Sequence, residues 1–61
     1  MPEIQIDMLK GRSHEQIKQI VKDITAVMVE DAKANPEAVH IVIREFEANH
    51  YALGGVLKSD M

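Results

Sequence analysis

The sequence predicts a small α/β domain: a single βαβ unit with a C-terminal β-hairpin, built to associate with further copies of itself. Three observations carry this expectation. Ile4, Ile6 and Met8 alternate with Glu3, Gln5 and Asp7, the period-two pattern of a strand with one buried face. Apolar residues then step by threes and fours from Ile17 to Met28, and the period of two returns from Val39 to Phe46. Strand, helix and strand within about forty residues make a βαβ unit, with parallel strands and a right-handed crossover.

Taken in order, the first strand gives way at Lys10-Gly11-Arg12. Ser13, followed three residues later by Gln16, is a capping-box signature, and Glu15 is suitably acidic for a first turn. A helix is therefore predicted from His14. Its expected apolar stripe is Ile17, Ile20, Val21, Ile24, Val27 and Met28, with Ala32 beyond, while Lys18, Lys22, Asp23, Glu30 and Lys33 face solvent. Asn35-Pro36 is expected to end the helix, because a residue before proline is pushed out of the helical region. Pro36-Glu37-Ala38 has the makings of one short turn.

The second strand, Val39 to Phe46, is apolar on both faces. Val39, Ile41 and Ile43 point one way; Val42 and Phe46 point the other, beside His40 and Arg44. One helix covers only one face, so another copy of the chain is expected to meet the second. Asn49-His50-Tyr51 and Gly54-Gly55 are turn chemistry for a small hairpin, with a frayed tail from Lys58 to Met61. Residues 1–61 form one domain, with no repeat or linker.

Composition narrows the function. A 61-residue domain hides only about 60% of the surface of its unfolded chain, and with no Cys it has neither disulfides nor thiolate metal ligands to reinforce it. No metal site is expected. With 46% hydrophobic residues, self-association is the expected remedy. The net charge of −3, the absence of a basic cluster and the presence of only Phe46 and Tyr51 as aromatics argue against nucleic acid. No secretory leader or membrane span is evident, so a cytoplasmic location is expected.

The chemistry points to Pro2. A Met-Pro start is a good substrate for methionine removal, which would expose a secondary amine; an α-amino group titrates near neutrality, and desolvation or a nearby cation would make it a competent base. Arg12 is that cation. It sits awkwardly at a helix N-terminus, where the dipole favours anions, unless an anion binds there. On the residues alone Arg12 also reads as a solvated arginine, and His14 and His50 read as surface. His40, mid-strand on the mixed face, either packs at a subunit contact or lines a pocket.

Amino-terminal Pro2, the alternating strand and Leu9-Lys10-Gly11-Arg12-Ser13 opening a helix resemble the 4-oxalocrotonate tautomerase family over nearly the full length. The resemblance implies the small tautomerase fold and a homo-oligomer, commonly a hexamer built as a trimer of dimers. It implies a cofactor-independent isomerase in which the terminal proline moves a proton between the 2-hydroxyl of a dienol and a carbon of the conjugated chain. Its substrate would be an unsaturated 2-hydroxy or 2-oxo acid resembling 2-hydroxymuconate. Pro2 matches the catalytic proline, and Arg12 matches the arginine that takes a substrate carboxylate from a neighbouring subunit. Tyr51 falls where studied members carry a phenylalanine, and Gly54-Gly55 match their glycine pair.

One position departs from the pattern. The second-strand arginine that binds the 2-oxo group and its adjacent carboxylate is here His40, and Arg44 lies roughly 13 Å further along the strand. The resemblance therefore leaves other outcomes open: a tautomerase with a different enol or keto acid, a dehalogenase-like relative, or a non-catalytic oligomeric module. For the dehalogenase-like relative, neither Glu45 nor Glu47 can be assigned as the carboxylate that would position water.

Overall fold

The computed structural model describes residues 1–61 and runs strand, helix, strand and hairpin, as expected. Strand β1 spans Glu3–Leu9 and helix α1 spans His14–Ala32. A 3-10 turn at Pro36–Ala38 leads into β2, His40–Phe46. A second such turn, Ala48–His50, leads to β3, Ala52–Leu53, and β4, Val56–Leu57.

β1 and β2 pair in parallel, so that Glu3 lies opposite His40, Ile4 opposite Ile41, Gln5 opposite Val42, Ile6 opposite Ile43, Asp7 opposite Arg44 and Leu9 opposite Phe46. Since side chains alternate across a sheet, this register gathers Ile4, Ile6, Met8, Ile41 and Ile43 on the face beneath α1. The other face carries Glu3, Gln5, Asp7, His40, Val42 and Arg44, and lies open.

Helix α1 starts as its sequence dictates. Ser13 is extended, its hydroxyl accepts from the Gln16 amide at 3.1 Å, and the Gln16 side chain accepts from the Ser13 amide at 2.8 Å. Both halves of the capping box are present, satisfying two amides that the helix cannot pair internally. The other end differs from expectation. The helix stops at Ala32, ahead of Asn35-Pro36, because Lys33 turns into the left-handed region at φ 56° and the Lys33 and Ala34 amides fold back on the Met28 carbonyl.

The stripe also shifts. Ile17, Ile20, Val21, Ile24 and Met28 are part-buried as expected, and Thr25 and Val29 join them, but Val27 is 53% exposed and Ala32 is exposed. At 100° per residue Val27 falls on the rim beside Ile20, just outside the arc that faces the sheet. The tail is likewise more ordered than expected: Lys58–Asp60 form a 3-10 turn, and the Lys58 amide donates to the Tyr51 carbonyl at 2.7 Å.

The hairpin turns through Gly54-Gly55, at φ 58° and 87°, with Leu53 paired to Val56. Positive φ at both loop residues is what a tight two-residue turn needs, and glycine supplies it without strain.

No residue of the single chain is buried. Its radius of gyration is 14.7 Å, against about 10.5 Å for a compact chain of this length. Its accessible surface is 4711 Å², against about 4,000 Å² for a folded monomer of this mass. Val42, Leu53, Val56, Leu57 and Tyr51 contribute apolar area to that excess. The sheet has a covered face and a bare one, and every hairpin residue from Ala52 to Leu57 is exposed.

Candidate functional site

Pro2 stands immediately before β1, part-buried, and its carbonyl accepts the His40 amide at 3.0 Å. That bond extends the parallel ladder by one step and pins the backbone of Pro2 to the start of β2. On its amino side Met1 is 81% exposed.

His40 shares this end of the sheet. Its Nδ1 lies 2.7 Å from Glu3 Oε2, across the strand pair. Both side chains are about half exposed, on the open face. Of the two environments open to His40 from sequence, a single chain shows neither: the imidazole is held by a carboxylate that only the register reveals. Four residues further along the same face, Arg44 Nη1 sits 3.6 Å from Asp7 Oδ1. Arg44 is thus engaged locally as well as displaced from His40.

The other candidates gather at the opposite end. Arg12 Nη1 donates to the Leu9 carbonyl at 3.0 Å, which holds the guanidinium against the last residue of β1. Leu9 lies opposite Phe46, and the Phe46 ring packs on Tyr51 with centroids 5.0 Å apart and a tilt of 31°. Such a tilted aromatic pair fixes the Tyr51 ring. Lys10 closes this end: its amide donates to the Phe46 carbonyl at 3.0 Å, and its Nζ lies 3.0 Å from Glu47 Oε1. The hydrogen bond to Glu47, and then the charges of Glu47 and Glu45, raise the Lys10 pKa above its ordinary 10.5.

Two half-sites result, separated by the length of β1, roughly 23 Å for seven residues. Pro2 and His40 are at one end; Arg12 and Tyr51 are at the other. The chain's one concave groove touches neither. It runs along the flank of α1 between Glu15, Lys18, Gln19, Val21, Lys22 and Thr25. His14 and His50 are exposed, and nowhere do three His, Asp or Glu side chains converge as metal ligands would. No helix is long and apolar enough to cross a membrane. Glu3 and Glu47 were missed from sequence, since acidic residues at a strand edge or in a loop give no signal until their partners are known.

Comparison with known proteins supplies an independent view of the same chain. The Tautomerase family profile, described as tautomerase enzyme, matches residues 2–61. A probable tautomerase of Staphylococcus epidermidis is 48% identical over 60 residues, covering 98% of both chains. Among solved structures, YwhB, a homologue of 4-oxalocrotonate tautomerase, superposes with a TM-score of 0.92 at 35% identity, covering 98% of each chain. A heterohexamer 4-oxalocrotonate tautomerase from Chloroflexus aurantiacus gives 0.89 at 26% identity, covering 100% of this chain and 98% of that one.

Proposed function

The chain belongs to the tautomerase enzyme family, and from that premise we propose that it is a cofactor-independent keto-enol tautomerase whose base is the amine of Pro2, exposed by removal of Met1. The observation that carries the proposal is the anchoring of Pro2. Its carbonyl is fixed by the His40 amide at 3.0 Å while its nitrogen is joined to an exposed methionine, Met1. Removing Met1 would leave a secondary amine on a held backbone, the preorganisation that general-base catalysis needs.

The substrate class is an unsaturated 2-hydroxy or 2-oxo acid, related to 2-hydroxymuconate. The Pro2 nitrogen takes the proton of the 2-hydroxyl, the electrons move to form the C2 carbonyl, and the protonated amine returns its proton to a carbon of the conjugated chain. Protons and electrons balance without a redox partner. Arg12 binds a substrate carboxylate, bidentately where geometry allows. Tyr51, seated on Phe46, supplies a wall that is apolar apart from its hydroxyl. Desolvation against that wall and the nearby guanidinium both disfavour the charged amine, lowering its pKa toward neutrality.

Because Pro2 and Arg12 stand at opposite ends of β1, one chain does not complete this site. The working form is proposed to be a homo-oligomer in which a neighbouring copy brings Arg12 and Tyr51 to Pro2. A hexamer, as in the Chloroflexus aurantiacus relative, is the expected assembly. With Met1 retained, Pro2 nitrogen is an amide without basic character, and the same scaffold would be a non-catalytic module.

Intact mass and enol-acid turnover on matched preparations test the proposal. Processed protein should show a kcat/KM that rises with pH through the ionisation of an amine near neutrality, since only its neutral form accepts a proton. Pro2→Ala keeps a primary amine and should be slower but active. Equal rates for the processed and Met1-retaining forms would exclude Pro2 as the base.

A further inference from the structure

We infer that Glu3 determines specificity by pairing with His40, so that the site selects an enol acid with one carboxylate over a dicarboxylate. The inference rests on the Pro2 and Arg12 roles proposed above. Four cationic side chains belong to the sheet and its ends: Lys10, Arg12, His40 and Arg44. Three are matched by a carboxylate of their own chain, Lys10 with Glu47 at 3.0 Å, His40 with Glu3 at 2.7 Å and Arg44 with Asp7 at 3.6 Å. Arg12 alone is not; its hydrogen bond goes to the Leu9 carbonyl, which leaves its full charge for an anion.

The His40–Glu3 pair is therefore without net positive charge in either state of the imidazole. Protonated, His40 and Glu3 sum to zero; neutral, they sum to minus one. The 2.7 Å contact also fixes which nitrogen is engaged. Nδ1 donates to Glu3 Oε2, and Nε2 is left as the atom that can meet a ligand. A monocarboxylate places its charge on Arg12 and its uncharged part beside Pro2 and His40. A dicarboxylate of the same length would bring its second charge to Glu3 and lose its hydration with no counter-ion in return.

Sorbate and trans,trans-muconate test this directly, since they share a six-carbon diene and differ by one carboxylate. Calorimetric titration of the processed native protein should show sorbate binding at least as tightly as muconate. In Glu3→Gln, which removes the carboxylate charge from that end and leaves the imidazole to meet the ligand, muconate should gain about tenfold on sorbate, the lower range for a charge-assisted bond at a half-exposed site. In the Glu3→Gln/His40→Gln double variant the gain should be smaller, because the imidazole donor is lost while the relief from the Glu3 charge remains. Nitrogen-15 spectra should show the proton of neutral His40 on Nδ1 in the native protein and redistributed in Glu3→Gln. Sedimentation of each variant confirms that assembly is unchanged.

Muconate binding tenfold tighter than sorbate in the native protein would overturn the inference, as would a ratio unmoved by Glu3→Gln or absence of binding by both acids. Failure of the Pro2 mechanism shows differently. The processed protein would then lack turnover while the binding ratio still responded to Glu3.

Discussion

Pro2 and Arg12 flank opposite ends of β1, with the seven residues Glu3–Leu9 between them. At about 3.3 Å per residue this exceeds the length of any small enol acid. A site using both must draw on two chains. Two defective forms, one retaining Met1 and one carrying Arg12→Ala, should each turn over poorly alone and recover activity once mixed, dissociated and reassembled, because some mixed sites then hold an intact Pro2 and an intact Arg12. Steady-state rates before and after reassembly measure this; no recovery would mean that the two residues do not act across chains.

The surface makes a second demand. A chain with no buried residue, and with Val42 and Leu53 each 47% exposed, has not finished hiding its apolar area. Full burial of such a side chain is worth about 1.5–3 kcal/mol, more than a 61-residue domain can forgo. Sedimentation at micromolar concentration should give a hexamer. Val42→Asp, on the open sheet face, should dissociate it and cost the chain its helical signal together with its mass. A folded native monomer would contradict the expectation outright.

The helix start offers a test of stability alone. Ser13 satisfies the Gln16 amide and receives no help from any other side chain at that position. Ser13→Ala should lower stability by about 1 kcal/mol per chain. Chemical denaturation should show the midpoint falling with little change in slope. Ser13→Asp, which keeps an acceptor and adds charge favourable to the dipole, should restore it.

Lys10 provides a pH-dependent check on how the C-terminal segment is held. Its pKa is raised in the folded state, first by the hydrogen bond to Glu47 and then by the charges of Glu47 and Glu45. A base whose pKa is raised on folding stabilises the fold fully below its unfolded value, and that contribution is lost as pH climbs through the folded value. The effect therefore belongs to the alkaline side, above 10.5, and is flat through neutrality. A carbon-detected titration of Lys10 Cε should give a lower pKa in Glu47→Gln than in the native chain. The native pair should respond to salt, as an exposed ion pair does.

What the sequence determined by itself was everything that rests on short-range chemistry. The alternation of Ile4, Ile6 and Met8, the Ser13–Gln16 reciprocity and Gly54-Gly55 between Leu53 and Val56 each specify local backbone through neighbours a few residues away. Pro2 and Arg12 stood out for the same reason: a proline directly after Met1 and a cation just ahead of a helix are conspicuous without any fold. The apolar character of β2 on both faces was legible as well, and with it the expectation of partners.

Tertiary structure decided what depends on distance between remote residues. Glu3 and His40 are 37 positions apart, and only the parallel register makes them neighbours; a shift of one residue would have turned the imidazole toward α1. The exposure of Val27 follows from how the helix lies on this sheet, which a repeat of three and four leaves undetermined by one position on either rim. The division of the candidate site into two ends is decided there too. Sequence names the residues, but that Pro2 and Arg12 of one chain stand apart follows from the direction and length of the strand between them.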